Sequence, residues 1–351
     1  MLARSMLSRR HVLAGAAAVA AVPLLPGQAF AATQADPPAT DWIEWLARHR
    51  EHVSLYADDG RGHRLALRPN RLVAMASAYK SIHAATFAGS GVNPQRRIRI
   101  RDWEAYFLPG MDGDAHPKSL EMLGIPVNGR YAADPDQLVP LDWVVQAMMI
   151  QSDNSAADYL HDLLGVPALQ RTAARGGWPN AEMATELGDM LRLWWPGTSD
   201  QLAQRFLVDA QFRTKALARL SDVPDNDALL TWTPTTHRGS ALDLASLFRA
   251  IATGRIPGRH YLELSTQGGT LPDELGIGYK GGQLPGLLNM GLYLRRADGT
   301  VVTVAILVAG LSWDDYVTLG TGVGDYSVQI GLGLLRDPET WQRVSRELVH
   351  P

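Results

Sequence analysis

The strand-like segments of this chain lie near its two ends, and a long helical stretch separates them. Near the N-terminal end, HVSLYADD and HRLALR are joined by GRG, which is typical of a β-hairpin. Near the C-terminal end, LGIGYKGG precedes LLNMGLYLRRADGTVVTVAILVAG, a second hairpin with RADGT as its turn. We therefore predict an α/β (α+β) fold, in which one antiparallel sheet from both chain ends is flanked by helices and a mostly helical domain is inserted between them. The predicted α/β sheet domain comprises residues 41–76 plus 240–350, and the helical domain comprises residues 77–239.

The first 31 residues have the organisation of an export signal. A basic region containing SRRHVL is followed by an apolar run from Val12 to Leu25 and by a small-residue cleavage site that ends at Ala31. The arginine pair resembles a twin-arginine (Tat) signal. The alternative is a membrane anchor, but the apolar run is short for a span. We expect a Tat-type signal peptide over residues 1–31, no stable membrane span after cleavage, and a periplasmic or secreted bacterial protein.

Composition excludes several classes of function. The chain has no cysteine, which removes disulfides, thiolate metal sites and cysteine nucleophiles. Its net charge of −3 favours neither nucleic acid nor an anionic membrane as a partner. Asp112-Gly113-Asp114 lacks the rest of a calcium loop, and no glycine-rich phosphate loop stands out. We predict a monomer that acts on a small-molecule substrate without a metal or a cofactor.

Several histidines and tryptophans have simple structural interpretations. The histidines are scattered without metal-ligand spacing, so we assign them to the surface or to packing. The tryptophans of the helical stretch could line an apolar cleft, but we expect them to pack the helical domain. These residues are His83, His116, His237, His260, Trp194, Trp195 and Trp232.

Only four of the 33 basic residues are lysines, so a lysine within a motif is informative. Arginine is effectively always protonated, whereas lysine can lose its proton when it is buried or lies beside another cation. Ser77 and Lys80 are separated by one helical turn, which places both side chains on one face. A serine hydroxyl is a poor nucleophile until a neighbouring base takes its proton. We therefore predict that Ser77 is a nucleophile and that Lys80 is its base.

Two further triplets follow in order, Ser152-Asp153-Asn154 and Lys280-Gly281-Gly282. Alone, the first could be a helix cap and the second a strand end. Together with the first motif they suggest a site: Lys280 would lower the pKa of Lys80, and Ser152 would relay a proton to the leaving group. Asn154 would orient the substrate and Lys80. The backbone N–H groups of Ser77 and Gln283 could form an oxyanion hole.

The three ordered motifs resemble those of the serine β-lactamases and penicillin-binding proteins, and most closely the class A β-lactamases. LVPLDWVVQAMMIQSDNSAADYLHDLLG is similar to the class A helix that leads into the Ser-Asp-Asn loop, and TPTTHRGSALDLASLFRAIATG resembles the segment after the omega loop. The resemblance covers about residues 41–348. It implies catalytic roles for Ser77, Lys80 and Ser152, and substrate-binding roles for Asn154, Lys280, Gly281, Gly282 and Gln283.

Two departures from that family affect the predicted function. Gly281 lacks the hydroxyl that a Lys-Thr-Gly or Lys-Ser-Gly triplet supplies for an anionic substrate. The omega-loop pattern Glu-x-x-x-Asn, whose glutamate activates the deacylating water, is also missing. An inserted helical region that includes ELGDMLRLWWPG would replace the omega loop. Glu186 is the possible base, and the alternative is that it is a solvated residue on a helix surface.

These observations predict an exported serine hydrolase that forms a Ser77 acyl-enzyme on a β-lactam or a related amide. Two alternatives stay open. The protein could be an esterase or a cell-wall D-peptidase or acyltransferase with little β-lactamase activity. It could also be a non-catalytic member of the family that binds a ligand or a partner protein.

Overall fold

The computed structural model describes residues 40–222, 224–267 and 269–351. The predicted signal peptide, residues 1–31, lies outside the described residues. In the part of the chain that is described, no helix is long and apolar enough to cross a membrane.

The largest sheet is antiparallel and is built from both ends of the chain. Its strands pair in the order β2-β1-β5-β4-β3, so the first and the last strands of the chain meet in its middle. This arrangement, together with the surrounding helices, confirms the predicted fold class. The strands are β1 (Val53–Asp58), β2 (Arg64–Leu67), β3 (Glu274–Leu284), β4 (Leu287–Arg296) and β5 (Val301–Ala309).

Short two-stranded pairs fix the loops around the helical region. Val73–Ala74 pairs with Arg238–Gly239, which ties the segment before Ser77 to the end of the helical stretch. The other pairs are Arg97–Arg99 with Leu138–Pro140 and Val127–Asn128 with Tyr131–Ala132.

Helices cover both faces of the sheet and form the inserted region. Several begin at side-chain caps: Asp41 accepts backbone hydrogen bonds at the start of the first helix, and Ser240 and Asp243 form a capping box before a later one. In chain order the α-helices are α1 (Trp42–Arg48), α2 (Lys80–Gly89), α3 (Ile100–Glu104), α4 (Ala115–Met122), α5 (Leu141–Ile150), α6 (Asn154–Leu164), α7 (Val166–Gly176), α8 (Glu186–Leu191), α9 (Ser199–Val208), α10 (Ala210–Ala218), α11 (Asn226–Trp232), α12 (Ala241–Ala252), α13 (Arg259–Leu262), α14 (Trp313–Thr321), α15 (Val323–Tyr326), α16 (Gly333–Arg336) and α17 (Pro338–Val344). Two π-helical segments, Ser327–Leu332 and Ser345–Val349, continue the C-terminal helices.

The alternation of side chains along β4 and β5 divides the core into two layers. Successive strand residues face opposite sides of a sheet. Met290, Leu292 and Ile306 therefore pack against α1 and the C-terminal helices. Tyr293 and Leu307 belong to the other layer, which includes α2, α5, α6 and α12.

A separate apolar cluster holds the inserted helices together. Its buried residues come from α8, α9, α10 and α11, with Leu108 from the loop after α3, and include Phe206, Phe212 and Trp232. Trp195 packs on Phe212 with the ring centroids 5.0 Å apart. The division into a sheet domain and a helical domain at the boundaries given above stays a prediction.

Candidate active site

The predicted nucleophile lies on a tight turn at the entrance to α2. Ser77 is half-buried in the 3₁₀ turn Ala76–Tyr79, and Lys80 follows as the first residue of α2. Ala76 has a φ of 46°, a left-handed conformation that a residue with a side chain adopts at a cost of about 1 kcal/mol or more. The Met75 N–H donates to the His237 carbonyl at 3.0 Å, which fixes the start of this turn.

Lys80 is fully buried and is surrounded by acceptors. Its ammonium Nζ donates to the Ser152 carbonyl at 2.7 Å and to Asn154 Oδ1 at 2.5 Å. Glu186 Oε1 lies 3.3 Å from the same nitrogen, and Glu186 is only 4% exposed. Two of these oxygens, both from the Ser152–Asn154 segment, accept hydrogen bonds from the ammonium, and the third, Glu186 Oε1 on α8, lies within ion-pair distance of it.

Lys280 and Ser152 form a second contact beside Lys80 and Glu186. Lys280 Nζ donates to Ser152 Oγ at 2.9 Å and to the Gly281 carbonyl at 3.1 Å. Burial and the neighbouring Lys80 ammonium hold the pKa of Lys280 well below its usual range, although the Glu186 carboxylate opposes this shift. Lys280 can therefore exchange a proton with the Ser152 hydroxyl more readily than an exposed lysine could.

Glu186 is placed by a carboxylate that the sequence did not single out. Both oxygens of Asp158 on α6 accept backbone N–H groups at the start of α8, from Glu186 and from Leu187, each at 2.7 Å. Burial, and then the nearby Glu186 carboxylate, raise the pKa of Asp158 well above its usual range. The interpretation of Glu186 as a solvated residue on a helix surface is therefore wrong.

The Glu186 carboxylate keeps an unused acceptor. Within the described residues, Oε1 receives no hydrogen bond of good geometry, although Lys80 Nζ is close. A buried oxygen without a donor is costly unless a water or a ligand satisfies it. This atom can accept a proton or orient a water molecule.

A buried ionic cluster supports the Ser-Asp-Asn loop from behind. His116 Nδ1 lies 2.9 Å from Asp153 Oδ2, and His116 Nε2 lies 3.3 Å from Glu104 Oε1. Burial alone would lower the pKa of His116, but the two carboxylates raise it to about 9. Burial likewise opposes the ionisation of Asp153, and the His116 charge holds the pKa of Asp153 below its usual range. Ser152 has a φ of 65°, so its orientation depends on this support.

Strand β3 passes directly beside the nucleophile turn because residue 282 is a glycine. A Cβ on Gly282 would stand 2.9 Å from Ser77 N and 2.8 Å from Ala78 N, closer than real Cβ contacts allow. The next residue, Gln283, is half-buried and donates its Nε2 to the Tyr316 hydroxyl at 3.2 Å. The backbone N–H of Ser77 and the strand that carries Gln283 are thus neighbours, as an oxyanion hole requires. That hole stays a prediction.

Gly281 leaves room for a tyrosine. A Cβ at this position would collide with the hydroxyl of Tyr279, which leans along the strand over the glycine. The substituent that a threonine or serine would place here is therefore replaced by a phenol from two residues earlier.

The same contacts show where the remaining histidines lie. His83, His116 and His237 are buried, whereas His260 is exposed. The assignment to surface or packing missed the ion pairs of two of them, because charged partners distant in sequence give no local signal. Among residues 40–222, 224–267 and 269–351, no cluster of three or more His, Asp or Glu side chains could hold a metal ion.

Comparisons with known proteins bear on the fold. A search of curated proteins finds no match to the chain. A β-lactamase from Sphaerobacter thermophilus has a similar structure, with a TM-score of 0.53 and 16% sequence identity over 85% of this chain and 99% of that one. A mutant of the chromosome-encoded β-lactamase of Vibrio parahaemolyticus gives a TM-score of 0.50 at 12% identity over 78% of this chain and 91% of that one. At such identities these likenesses show the fold alone.

A sequence profile gives the family. The profile of the Beta-lactamase enzyme family matches residues 127–318, which is more than half of the chain. This range includes the Ser-Asp-Asn loop, Glu186 and the Lys-Gly-Gly strand. The chain belongs to the β-lactamase enzyme family.

Proposed function

We propose that this protein is an exported serine hydrolase of the class A type that forms an acyl-enzyme at Ser77 on a β-lactam or a related amide. The observation that carries the proposal is the enclosure of Lys80 by the Ser152 carbonyl, Asn154 Oδ1 and Glu186 Oε1, one helical turn from Ser77. Lys80 is held between the Ser152–Asn154 segment and α8, beside a serine. Such an arrangement suits proton transfer.

The first step needs a neutral amine next to Ser77. In a buried pair, transfer of one proton from Lys80 Nζ to Glu186 Oε1, which are 3.3 Å apart, replaces two desolvated charges by two neutral groups. The neutral amine can then take the proton of the Ser77 hydroxyl while the oxygen attacks the substrate carbonyl. The negative charge that develops on the carbonyl oxygen is stabilised by the N–H groups of Ser77 and Gln283.

The second proton transfer completes acylation. Lys280 donates to Ser152 Oγ at 2.9 Å, so Ser152 can pass its proton to the leaving nitrogen or oxygen and regain one from Lys280. The bond from the carbonyl carbon to the leaving atom breaks, and the acyl group stays on Ser77. Asn154 keeps Lys80 oriented and contacts the substrate, as the resemblance implies.

Hydrolysis of the acyl-enzyme is assigned to Glu186. Once Lys80 has passed the Ser77 proton through Ser152 to Lys280 and has taken back its own proton from Glu186, the ionised Oε1 can remove a proton from a water that attacks the ester carbonyl. Lys80 then protonates the Ser77 oxygen as it leaves, and Glu186 returns the water's proton to Lys80. Glu186 thereby supplies the base although the segment lacks the Glu-x-x-x-Asn pattern of the omega loop.

A second candidate function rests on Gly281. Since this position offers no side-chain hydroxyl to an anionic group, an ester or a cell-wall D-peptide could be the preferred substrate, with hydrolysis or acyl transfer as the outcome. A non-catalytic ligand-binding role is the remaining alternative. The hydrogen bonds of Lys80 and its ion pair with Glu186 argue against it. Burying such charges costs desolvation free energy, and an inert protein gains nothing from that cost.

Location, assembly and domain division complete the proposal. We propose Tat export to the periplasm or the exterior, on the basis of residues 1–31, and a monomer with the sheet and helical domains given above. Fractionation of cells that express the full chain, compared with cells that express an Arg9→Lys, Arg10→Lys variant, tests the export route by measuring how much protein reaches the periplasm. A variant that still reaches the periplasm at the wild-type level would exclude Tat.

The catalytic proposal is tested by intact-protein mass spectrometry. Wild type incubated with a penicillin or a p-nitrophenyl ester should gain the mass of the acyl group, and Ser77→Ala should not. An adduct with the ester alone would favour the second candidate. No adduct and no turnover with either reagent would leave the non-catalytic role.

A further inference from the structure

A buried histidine holds the peptide unit that precedes the nucleophile. His237 Nε2 lies 3.1 Å from the carbonyl oxygen of Ala76, and Nδ1 of the same ring lies 2.9 Å from Asp189 Oδ2. The His237 ring also packs on Tyr79, with centroids 3.8 Å apart. None of the roles assigned above to the site uses His237 or Asp189.

The two partners of His237 require a cationic ring. A backbone carbonyl and an ionised carboxylate only accept hydrogen bonds, while a neutral imidazole donates from one nitrogen only. Both contacts are satisfied only if both ring nitrogens carry protons. Burial would lower the pKa of His237, but the hydrogen bond and charge of Asp189 outweigh it, and the pKa is raised.

The His237 imidazolium affects the orientation of the Ser77 N–H through one planar peptide group. The Ala76 carbonyl and the Ser77 N–H belong to the same planar trans peptide, so they point in opposite directions. Fixing the carbonyl with a cationic donor fixes the direction of the N–H. It also polarises the peptide, which makes the N–H a stronger donor. Ala76 needs this restraint because its φ of 46° is unfavourable for a residue with a side chain.

Asp189 connects His237 to the inserted helices. It lies on α8, three residues after Glu186, and its Oδ1 accepts a hydrogen bond from Ser199 at the start of α9. Its backbone carbonyl accepts the Trp232 Nε1–H at 3.0 Å from the end of α11. Asp189 is only 3% exposed. The inserted region therefore reaches the nucleophile turn through the contact of Asp189 with His237, as well as through the Tyr79 hydroxyl, which donates to the Ala184 carbonyl.

We propose that His237 is a positioning residue for the oxyanion hole: its imidazolium, held by Asp189 of the inserted region, orients and polarises the Ala76–Ser77 peptide. This inference rests on the proposed role of Ser77. The inserted helices thereby take part in catalysis by holding the Asp189 carboxylate in place.

The test combines an inhibitor with a measurement that needs no substrate. A boronic acid forms a tetrahedral adduct with an active serine and places an anionic oxygen in the hole. We expect His237→Leu to weaken phenylboronic acid inhibition and to slow acylation by p-nitrophenyl ester by about 100-fold, with KM little changed, the size expected for one lost oxyanion donor. His237→Gln, which can still donate to the Ala76 carbonyl, should recover part of the loss. His161→Leu is the control, because His161 is also buried but touches neither Ala76 nor Asp189.

Nitrogen-15 NMR of the ligand-free protein separates the two possible failures. At pH 7 both His237 ring nitrogens should be protonated, and the Ser77 amide proton should shift upfield in His237→Leu but not in His161→Leu. A neutral His237 ring would overturn the proposed positioning role of His237. Equal boronate affinity and equal acylation rates in the two leucine variants would also overturn it. The His237 ring could be cationic, and the Ser77 amide could shift, in a protein that no reagent acylates. That result would support the positioning of the Ala76–Ser77 peptide by His237 and refute the hydrolase proposal.

Discussion

Replacing His116 with glutamine removes the buried imidazolium behind the Ser152–Asn154 loop and should alter the pH dependence of stability in a defined window. In the folded protein, Asp153 and Glu104 raise the pKa of His116 from 6.5 to about 9. A raised pKa means that the folded state binds the proton more tightly than the unfolded state. The resulting stabilisation is complete below pH 6.5 and is lost as the pH rises through about 9.

The magnitude follows from the width of that window. About two pH units of the shift lie between pH 7 and pH 9, and each unit corresponds to about 1.4 kcal/mol. The unfolding free energy of wild type relative to His116→Gln should therefore fall by roughly 2 to 3 kcal/mol between pH 7 and pH 10. Asp112, which accepts the His116 backbone N–H, has a pKa of about 6, and the pKa of Asp153 is below its usual range, so neither carboxyl titrates in this window.

Urea unfolding at pH 7, 8, 9 and 10, followed by circular dichroism, measures this difference. His161→Gln is the matched control, because burial lowers the pKa of His161 and its ring stays neutral throughout the range. Its difference from wild type should not change between pH 7 and pH 10. A His116→Gln difference that is equally flat would refute the ionic-cluster account of this loop.

Three further perturbations test other contacts. Asp158→Ala leaves the N–H groups of Glu186 and Leu187 without their acceptor, so it should cost about 2 kcal/mol in urea unfolding and slow both acylation and deacylation; unchanged rates of both steps would contradict the role of Asp158 in placing Glu186. Gly282→Ala should reduce acylation by about 100-fold, because its Cβ would collide with the Ser77 turn and displace a donor of the hole. Gly324→Ala, at a site with no atom near the added Cβ, is its control, and equal activities would disprove the close approach of β3. Lys280→Arg should slow acylation strongly with both reagents, since arginine cannot release a proton to Ser152, and an unchanged rate would exclude the proton relay.

Much of the fold could be predicted from local patterns. Strand residues that are buried on both faces of the sheet, such as Leu292 and Tyr293, leave a short continuous apolar run in the sequence, and the hairpin turn between β4 and β5 is a recognisable signal. The site could be predicted where its residues lie in short motifs. The structure brings Lys80, Ser152 and Asn154 together as those motifs suggest, with Lys280 on the Ser152 hydroxyl.

The rest of the site depends on pairs that are distant in sequence. Asp158 and Glu186 are 28 residues apart, and Asp189 and His237 are 48 apart, so no spacing rule connects them. A lone histidine or glutamate in a helical pattern looks the same whether it is exposed or buried in an ion pair. Glu186 also lacks the Glu-x-x-x-Asn pattern that would have identified it in the sequence, although the structure places its Oε1 3.3 Å from Lys80 Nζ.

The most direct test of the central claim follows the mass of the protein in time after mixing with excess penicillin. Wild type should acquire the acyl mass at Ser77 and then lose it, and Ser77→Ala should acquire none. Glu186→Gln should acquire it more slowly, because the amide cannot take the Lys80 proton, and should then keep it. This pattern would establish Ser77 as the nucleophile and Glu186 as the base for hydrolysis. A Ser77→Ala protein that is still acylated, or a Glu186→Gln adduct that disappears as fast as the wild-type adduct, would contradict the account.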